Sequence, residues 1–569
     1  MASSFGVCRL HMRGWGSLAK SFPKTEACFQ RKFGTNAAAA QAEVPRKEEI
    51  EEKAAPKPFI DVQAERQEQA ERSVLISCQS KTNEKKFLKL LSKHGDIKKY
   101  FYYESYGTYA VVEFANKESI ASLLEATAIP SVNHESTVPF KSRLLSLRGS
   151  GPAEQSRLQC EPQTTIPINE LIQRLSREES VDRQVTSLTE AYQLTEENVH
   201  LRFLVCSLVK DIAAAYFPEC IIRPFGSSVN GFGKLGCDLD MFLDLDGISG
   251  RNIKVPKTGL SLEYQMKRAS SERAVTQSIL SVIGECVDQF GPGCVGVQKI
   301  LNARCPLVRF AHQPSGFQCD LTANNRVAMK STELLYLYGA LDQRVRCMVF
   351  TVRCWARAHG ITSSIPGAWI TNFSLTVMVL FFLQRRSPPI IPTLDHLQEL
   401  AGPGDKSVIE GNDCTFVSDF SKIQLHNNTE TLEQLLREFF EFYGSFAFTK
   451  MSINIRKGKE QNKPEVAPLH IQNPFEPSLN VSKNVNGTQL ERFVALCQES
   501  SWLLQQSDIS TPRGGSEGQT PVPWGLATLL LPSQVAVIKG RKKRKREPAS
   551  ERIKSLLESL KNKNQQKKS

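Results

Sequence analysis

The chain has 569 residues, enough for several domains with cores of their own, which excludes a single small module. Lys plus Arg total 72 against 59 Asp plus Glu, but the excess sits at the ends, with a net +10 over residues 539–569 and +5 over residues 1–35, so the body is about neutral. Fifteen cysteines are scattered singly, with no CxxC pair and no Cys/His cluster, which speaks against structural zinc and fits a reduced interior.

Residues 1–40 set Arg9, Arg13, Lys20, Lys24, Arg31 and Lys32 among small, hydroxyl and aromatic residues, with Glu26 the one acid before residue 36. That is the composition of a mitochondrial transit peptide, and it predicts a matrix protein. Residues 41–71, rich in Ala, Glu and Lys, read as a linker with some helical tendency. Between residues 72 and 148 a compact unit follows: a strand at VLISC, an amphipathic helix at EKKFLKLLSKHG, a strand at TYAVVEF, a helix at KESIASLLEA and a closing strand at VPFKSRLLSL. With a further strand between the two helices these make the βαββαβ order that resembles the RNA recognition motif (RRM). Tyr109 falls at the first stacking position of that motif, but Val111 occupies the second and VLISC supplies no aromatic. One stacking ring predicts weak single-strand binding or none, and a domain that docks or dimerises; direct RNA reading is the alternative.

Residues 149–165 are a Gly, Pro and Gln-rich linker. The segment 166–345 then opens with a helix at IPINELIQRLS and a second, running from VTSLTEAY to Pro218. IIRPFGSS brings a strand into Gly226-Ser227, residues 250–271 read as a surface insertion, residues 275–290 as a helix, and VQKILNARCPLVRFAH with GFQCDLT as the strands that carry Asp320. Residues 346–505 turn helical. The apolar run 373–383 is about half the ~20 residues of a membrane span, so it reads as a core helix and no span is predicted. Residues 506–569 form a flexible basic tail, whose RKKRKR run fits RNA-backbone contact and also fits a nuclear signal.

The chemistry gathers around FGSSVNGFGKLGCDLDMFLDLD. Residues i and i+2 of a strand share a face, so Asp238 and Asp240 point together. An oxygen-only site of this kind suits Mg²⁺ or Mn²⁺. Gly226 and Ser227 offer backbone N–H groups and a hydroxyl to a phosphate. Asp320 supplies a third carboxylate on a neighbouring strand, and three such groups can hold two ions about 4 Å apart for phosphoryl displacement. Asp244 and Asp246 lie roughly 13 and 20 Å farther along and are left as strand-end charges.

With these residues in place the chain resembles the polymerase-β-like nucleotidyltransferases. LLYLYGALDQRVRCMVFTVRCWARAHGI, TNFSLTVMVLFFLQ, LLREFFEFYGSF and NPFEPSLNV narrow the resemblance, over about residues 168–494, to the noncanonical poly(A) polymerase and terminal uridylyltransferase group. The resemblance implies an α+β protein: a nucleotidyltransferase palm (166–345) and a helical PAP-associated domain (346–505), preceded by the RRM-like domain. It implies that Asp238, Asp240 and Asp320 ligate two Mg²⁺ or Mn²⁺ ions, and that Asp320 accepts the proton of the RNA 3′-hydroxyl. Gly226 and Ser227 would hold the β- and γ-phosphates, Asn325 the ribose, Arg353 and Arg357 the triphosphate, and Phe373 the face of the base. Where uridylyltransferases of the group often carry a histidine, Leu479 stands here, which favours ATP over UTP. The expected activity is untemplated adenylation of RNA 3′ ends in mitochondria, by an enzyme dimerised through its RRM-like domain. The rivals are a uridylyltransferase and a silent RNA-binding scaffold.

Overall fold

A computed structural model describes residues 56–79, 82–129, 140–148, 158–244, 270–323, 325–365, 367–507 and 521–533. The transit peptide, nearly all of the surface insertion and the RKKRKR run lie outside these residues.

The first unit begins earlier than the sequence suggests. Within the expected linker, α1 (Phe59–Glu71) buries Phe59, Gln63 and Ala70. Strand β1 (Ser73–Cys78), helix α2 (Glu84–Leu91), strands β2 (Ile97–Glu104) and β3 (Thr108–Phe114), helix α3 (Glu118–Glu125) and strand β4 (Leu144–Ser146) follow in the predicted βαββαβ order. Asn83 caps α2 by accepting from the Lys86 N–H at 3.0 Å. A short β5 (Cys160–Glu161), inside the second expected linker, pairs with β2 and completes a sheet of order β4-β1-β3-β2-β5. Alternation along the strands splits its side chains between two cores. Val74, Ile76, Val112 and Phe114 pack with Phe87, Leu91, Ile120 and Leu123 of the two helices, whereas Leu75, Phe101, Tyr103 and Val111 join the core of the next unit.

That unit is the palm. It follows α4 (Ile168–Leu175) and α5 (Val181–Tyr192), and contains α6 (Glu196–Ala213), β6 (Ile221–Pro224), a 3₁₀ turn (Gly226–Ser228), β7 (Leu239–Asp244), α7 (Glu272–Phe290), β8 (Cys294–Ile300), β9 (Leu307–His312) and β10 (Phe317–Ala323). The single helix expected up to Pro218 is two. Thr195, in extended conformation, accepts from the Asn198 N–H at 3.1 Å and starts α6 afresh, with Glu196 and Glu197 favouring its N-terminus. The sheet order is β6-β7-β10-β9-β8; β7 and β10 run parallel and the other pairs antiparallel. Helix α6 packs against β6 and α7 of the palm and also against α1 and β1.

The helical domain comprises α8 (Arg326–Leu341), α9 (Gln343–Ala358), α10 (Asn372–Gln384), α11 (Leu394–Glu399), α12 (Leu432–Ser445), α13 (Gly487–Ser507) and α14 (Leu526–Leu529). Helix α10 is buried from Ser374 to Gln384, the core helix its apolar run predicts, and among the described residues no helix is long and apolar enough to cross a membrane. The core of this domain also takes in α4, α5 and α8, so the boundary expected at residues 345–346 does not separate the two cores: the chain enters and leaves the palm from the helical side. The expected flexible tail needs a second correction. Leu526, Ala527, Leu529 and Leu530 are buried in this core, Leu526 N–H donates to Gln184 Oε1 at 2.7 Å, and His359 Nε2 bonds the Leu529 carbonyl at 2.7 Å. An apolar run from Trp524 to Leu531 gains more from burial than from solvent, whatever the charge of the chain beyond it.

Candidate active site

The floor of the site is the turn from β6 into β7. Gly226 adopts φ +62°, a conformation L side chains rarely take, and a Cβ there would stand 3.1 Å from Asp240 Oδ2. Glycine is thus needed for both the turn and the space. Its N–H donates to Thr332 Oγ1 at 3.0 Å, so this donor of the expected phosphate cradle is already engaged by α8. Asp238 lies one residue before β7 and Asp240 within it. Asp320 is in register with Asp240 on the adjacent parallel strand, so the two sequence-distant carboxylates are neighbours, as expected.

Burial, with the charges of Asp320 and Asp238, raises the Asp240 carboxyl to about 6; burial and Asp320 also push Asp238 upward. Arg309 answers part of this repulsion. It faces Asp320 across the antiparallel β9–β10 pair and grips it with both forks, Nε to Oδ1 at 2.7 Å and Nη2 to Oδ2 at 2.6 Å. Among the described residues no three His, Cys, Asp or Glu side chains are placed closely enough together to hold a metal ion as they stand. The donor chemistry nevertheless fits Mg²⁺ or Mn²⁺: oxygen-only, acid-rich, and mutually repelling in a way that a divalent ion relieves.

A cavity of about 670 Å³ opens beside the turn, within the range of nucleotide-sized sites. Gly226, Ser227, Asp240 and Asn325 line it from the palm side, and Arg353, Arg357, Phe373 and Leu479 from the helical side; Asp238 and Asp320 do not line it. Arg353 differs from expectation. Its guanidinium donates to the Asn372 carbonyl at 3.3 Å, the Phe232 carbonyl at 2.7 Å and Thr376 Oγ1 at 2.6 Å, tying the palm loop to α10. Acceptors far away in sequence, invisible to helical spacing, claim a side chain that the spacing assigns to phosphate. Arg357, one turn on, is exposed at the cavity. Lys234, which sequence reasoning missed, also lines it; burial and the nearby Arg357 lower its pKa. At the rim, Arg304 of the palm reaches Glu476 of the helical domain at 3.3 Å. The loop that carries Leu479 is braced from within: Asn473 Oδ1 accepts from the Phe475 and Glu476 N–H groups, and the Leu479 N–H donates to the Glu476 carbonyl at 2.9 Å.

The RRM-like sheet meets the palm where an RNA recognition motif would meet RNA. Tyr103 donates to the Pro314 carbonyl at 2.8 Å, Ser105 to that of Gln313 at 2.9 Å, and the expected stacking residue Tyr109 lies against the Tyr103 ring, centroids 5.7 Å apart. Of the two roles left open for this face, the docking one matches the contact.

The chain is similar to several known proteins. Residues 181–340 match the family described as "Poly(A) RNA polymerase, mitochondrial-like, central palm domain", residues 58–128 the RL domain, and residues 431–479 the "Cid1 family poly A polymerase". The chain is 59% identical over 525 residues to a mouse protein named "Poly(A) RNA polymerase, mitochondrial" (92% of this chain, 89% of that one). It is 60% identical over 515 residues to a human protein of the same name (90% and 88%), and 34% identical over 494 residues to one from Drosophila melanogaster (83% and 80%). The crystal structure of mtPAP in complex with ATPγS superposes with a TM-score of 0.78 at 56% identity, covering 84% of this chain and 100% of that one, and its apo form gives the same values.

Proposed function

The chain belongs to the mitochondrial poly(A) RNA polymerase family, and from that premise we propose that Asp238, Asp240 and Asp320 carry its nucleotidyl transfer. The enzyme adds AMP from ATP to RNA 3′ ends without a template and works in mitochondria. One observation carries the assignment of residues: Asp240 and Asp320 stand side by side on parallel strands, with the glycine turn directly against Asp240. Two Mg²⁺ or Mn²⁺ ions held by the three carboxylates would stabilise charge on the attacking and leaving oxygens. Asp320, held by Arg309, is assigned the proton of the 3′-hydroxyl. Ser227, presented by the turn that Gly226 makes possible, takes the β- and γ-phosphates, Arg357 with Lys234 the rest of the triphosphate charge, Asn325 the ribose and Phe373 the base, while the Gly226 N–H stays with Thr332. Arg353 supports the cavity wall.

The test is extension of an end-labelled single-stranded RNA with each nucleoside triphosphate and Mg²⁺, beside Asp240→Ala. Long ladders with ATP, lost in the variant, are expected; tailing retained by the variant sinks the assignment. Leu479, an apolar contact where uridylyltransferases often carry histidine, underlies the choice of ATP. Leu479→His should raise UTP use relative to ATP by about tenfold, since one side chain typically discriminates by 1 to 3 kcal/mol; an unchanged ratio removes Leu479 from selectivity.

A homodimer through the RRM-like domain is also proposed. With the sheet face spent on the palm, its helical face and strand edges remain as the contact. Deleting the domain would strip the palm of Leu75, Phe101, Tyr103 and Val111, so light scattering on the intact chain is the fair measurement, and a monomer mass would dispose of the dimer. Residues 1–40 underlie a matrix address, which protease protection after import into isolated mitochondria checks.

A further inference from the structure

Arg202 on α6 is fully buried, at 0% exposure, and every acceptor it reaches among the described residues is neutral. Its Nε donates to Asn198 Oδ1 at 2.8 Å. One terminal nitrogen donates to Ser228 Oγ at 2.8 Å and to the Asp238 carbonyl at 2.9 Å, and the other to the Cys237 carbonyl at 2.7 Å. The guanidinium carbon lies 4.6 Å from the centre of the Phe317 ring, at the start of β10. Burying a cation is costly. The charge of Arg202 is felt by the Asp238 and Asp240 carboxylates, which it pulls downward, but it makes no direct ion pair with either. An apolar side chain of similar volume often serves a purely structural purpose as well or better. What only arginine supplies is a rigid planar fork with several donors at fixed angles.

That fork spans two segments of the site. Ser228 closes the turn that begins with Gly226, and the Cys237–Asp238 backbone leads into β7. We propose that Arg202 is a positioning residue for nucleotidyl transfer, fixing the phosphate-side turn and the Asp238 backbone at one spacing so that cation and triphosphate are met together. The orientation of the fork is itself fixed: Asn198, 0% exposed, holds its Nε and donates in turn to Gln163 Oε1 at 2.7 Å. Arg202 is fully buried and does not line the cavity, and acts through Asp238 and Ser228. The proposal rests on the reading of Asp238 and Asp240 as cation ligands, which an Asp240→Ala control tests separately.

The experiment uses the full chain and three measurements: Mn²⁺ binding by electron paramagnetic resonance without RNA or ATP, kcat and KM for ATP, and the unfolding midpoint. Arg202→Met should lower Mn²⁺ affinity and kcat by about 10- to 100-fold, the usual scale when a group orienting a metal ligand is lost, with a smaller change in KM. Arg202→Lys keeps the charge but not the fork, and should stay close to the Met variant. Asn198→Ala, which leaves the charge in place, should move Mn²⁺ affinity and kcat in the same direction by a smaller factor. A Met variant with a lowered unfolding midpoint but unchanged Mn²⁺ affinity and kcat per folded molecule overturns the proposal, and so does full rescue by lysine. If neither Arg202 variant folds, Asn198→Ala decides: a drop in Mn²⁺ affinity supports positioning and no change overturns it. Mn²⁺ binding retained by Asp240→Ala would instead sink the ligand assignment.

Discussion

The palm sheet, β6-β7-β10-β9-β8, and the RRM-like sheet, β4-β1-β3-β2-β5, have equal numbers of strands, but one puts Asp240 at a cavity of about 670 Å³ while the other is packed on both faces. The difference lies in what each face carries. Asp240 and Asp320 are side by side and repel, so no apolar neighbour can cover them cheaply, and their strands open toward something that brings positive charge. Leu75, Phe101, Tyr103 and Val111 occupy the face where a nucleic-acid reader would show stacked aromatics, and burial of each such side chain is worth about 1.5 to 3 kcal/mol. The same βαββαβ scaffold that reads RNA elsewhere serves here as part of the palm's wall. Fold alone would assign it the wrong task.

The strongest way to break this contrast is at the contact itself. Tyr103 is fully buried, donates to the Pro314 carbonyl and stacks on Tyr109, so Tyr103→Ala should lower stability by about 3 to 5 kcal/mol in urea unfolding, with no gain in RNA affinity. A small loss accompanied by tighter RNA binding would mean that the face is a reader only lightly covered. The opposite effect is expected at the open sheet. Asp240 titrates at about 6 in the fold against 3.8 as its reference, so between these values the folded state holds a proton that the unfolded chain has released. Stability therefore falls as pH rises through that window, and the penalty is fully present at neutral pH. Asp240→Asn should stabilise the chelator-treated protein by about 2 kcal/mol at pH 7.5 and by almost nothing at pH 4, read as unfolding midpoints. A variant no more stable at pH 7.5 would mean that Arg309 already neutralises the pair.

These particulars also divide what the sequence makes legible from what it hides. The Gly226-Ser227 turn and the Asp238-Leu239-Asp240 pair are local and period-two, so they read directly, and Asp320 follows from the apolar strand that bears it. Arg309 sits on a strand that was read, yet its grip on Asp320 depends on the register of β9 against β10, which no local pattern fixes. Arg202 carries a signal in the sequence: a cation inside the run HLRFLVCSLV, on a helix apolar nearly all round, has to be buried and therefore bonded. The same holds for the apolar run Trp524–Leu531 in the expected tail, whose burial is independent of the net charge of the chain beyond it. Arg353 could not be found this way, since one of its acceptors, the Phe232 carbonyl, lies 121 residues earlier in the chain and the others on a different helix.

The smallest expected effect tests whether the covered sheet and the palm are held as one body. His200 on α6 bonds Ser73 Oγ through Nε2 at 2.8 Å, packs its ring on Phe101, and leaves Nδ1 buried with no partner among the described residues. Burial holds it down to about 4; Glu113 and Glu197 pull upward while Lys99 and Arg66 push the same way as burial. The folded state keeps this ring neutral, and the unfolded chain takes up a proton below its reference of 6.5. Its contribution is thus complete above pH 6.5 and lost as pH falls toward 4, by about 1 kcal/mol at pH 6. His200→Gln should be less stable than the parent at pH 7.5 and should converge on it as pH falls. His312, within β9 and likewise held at about 4 by burial, gives the parallel measurement inside the palm. If His312→Gln flattens the acid slope and His200→Gln does not, the contact between the sheets opens before the palm unfolds, and the RRM-like domain is a separable cover; equal flattening means that the two sheets melt together.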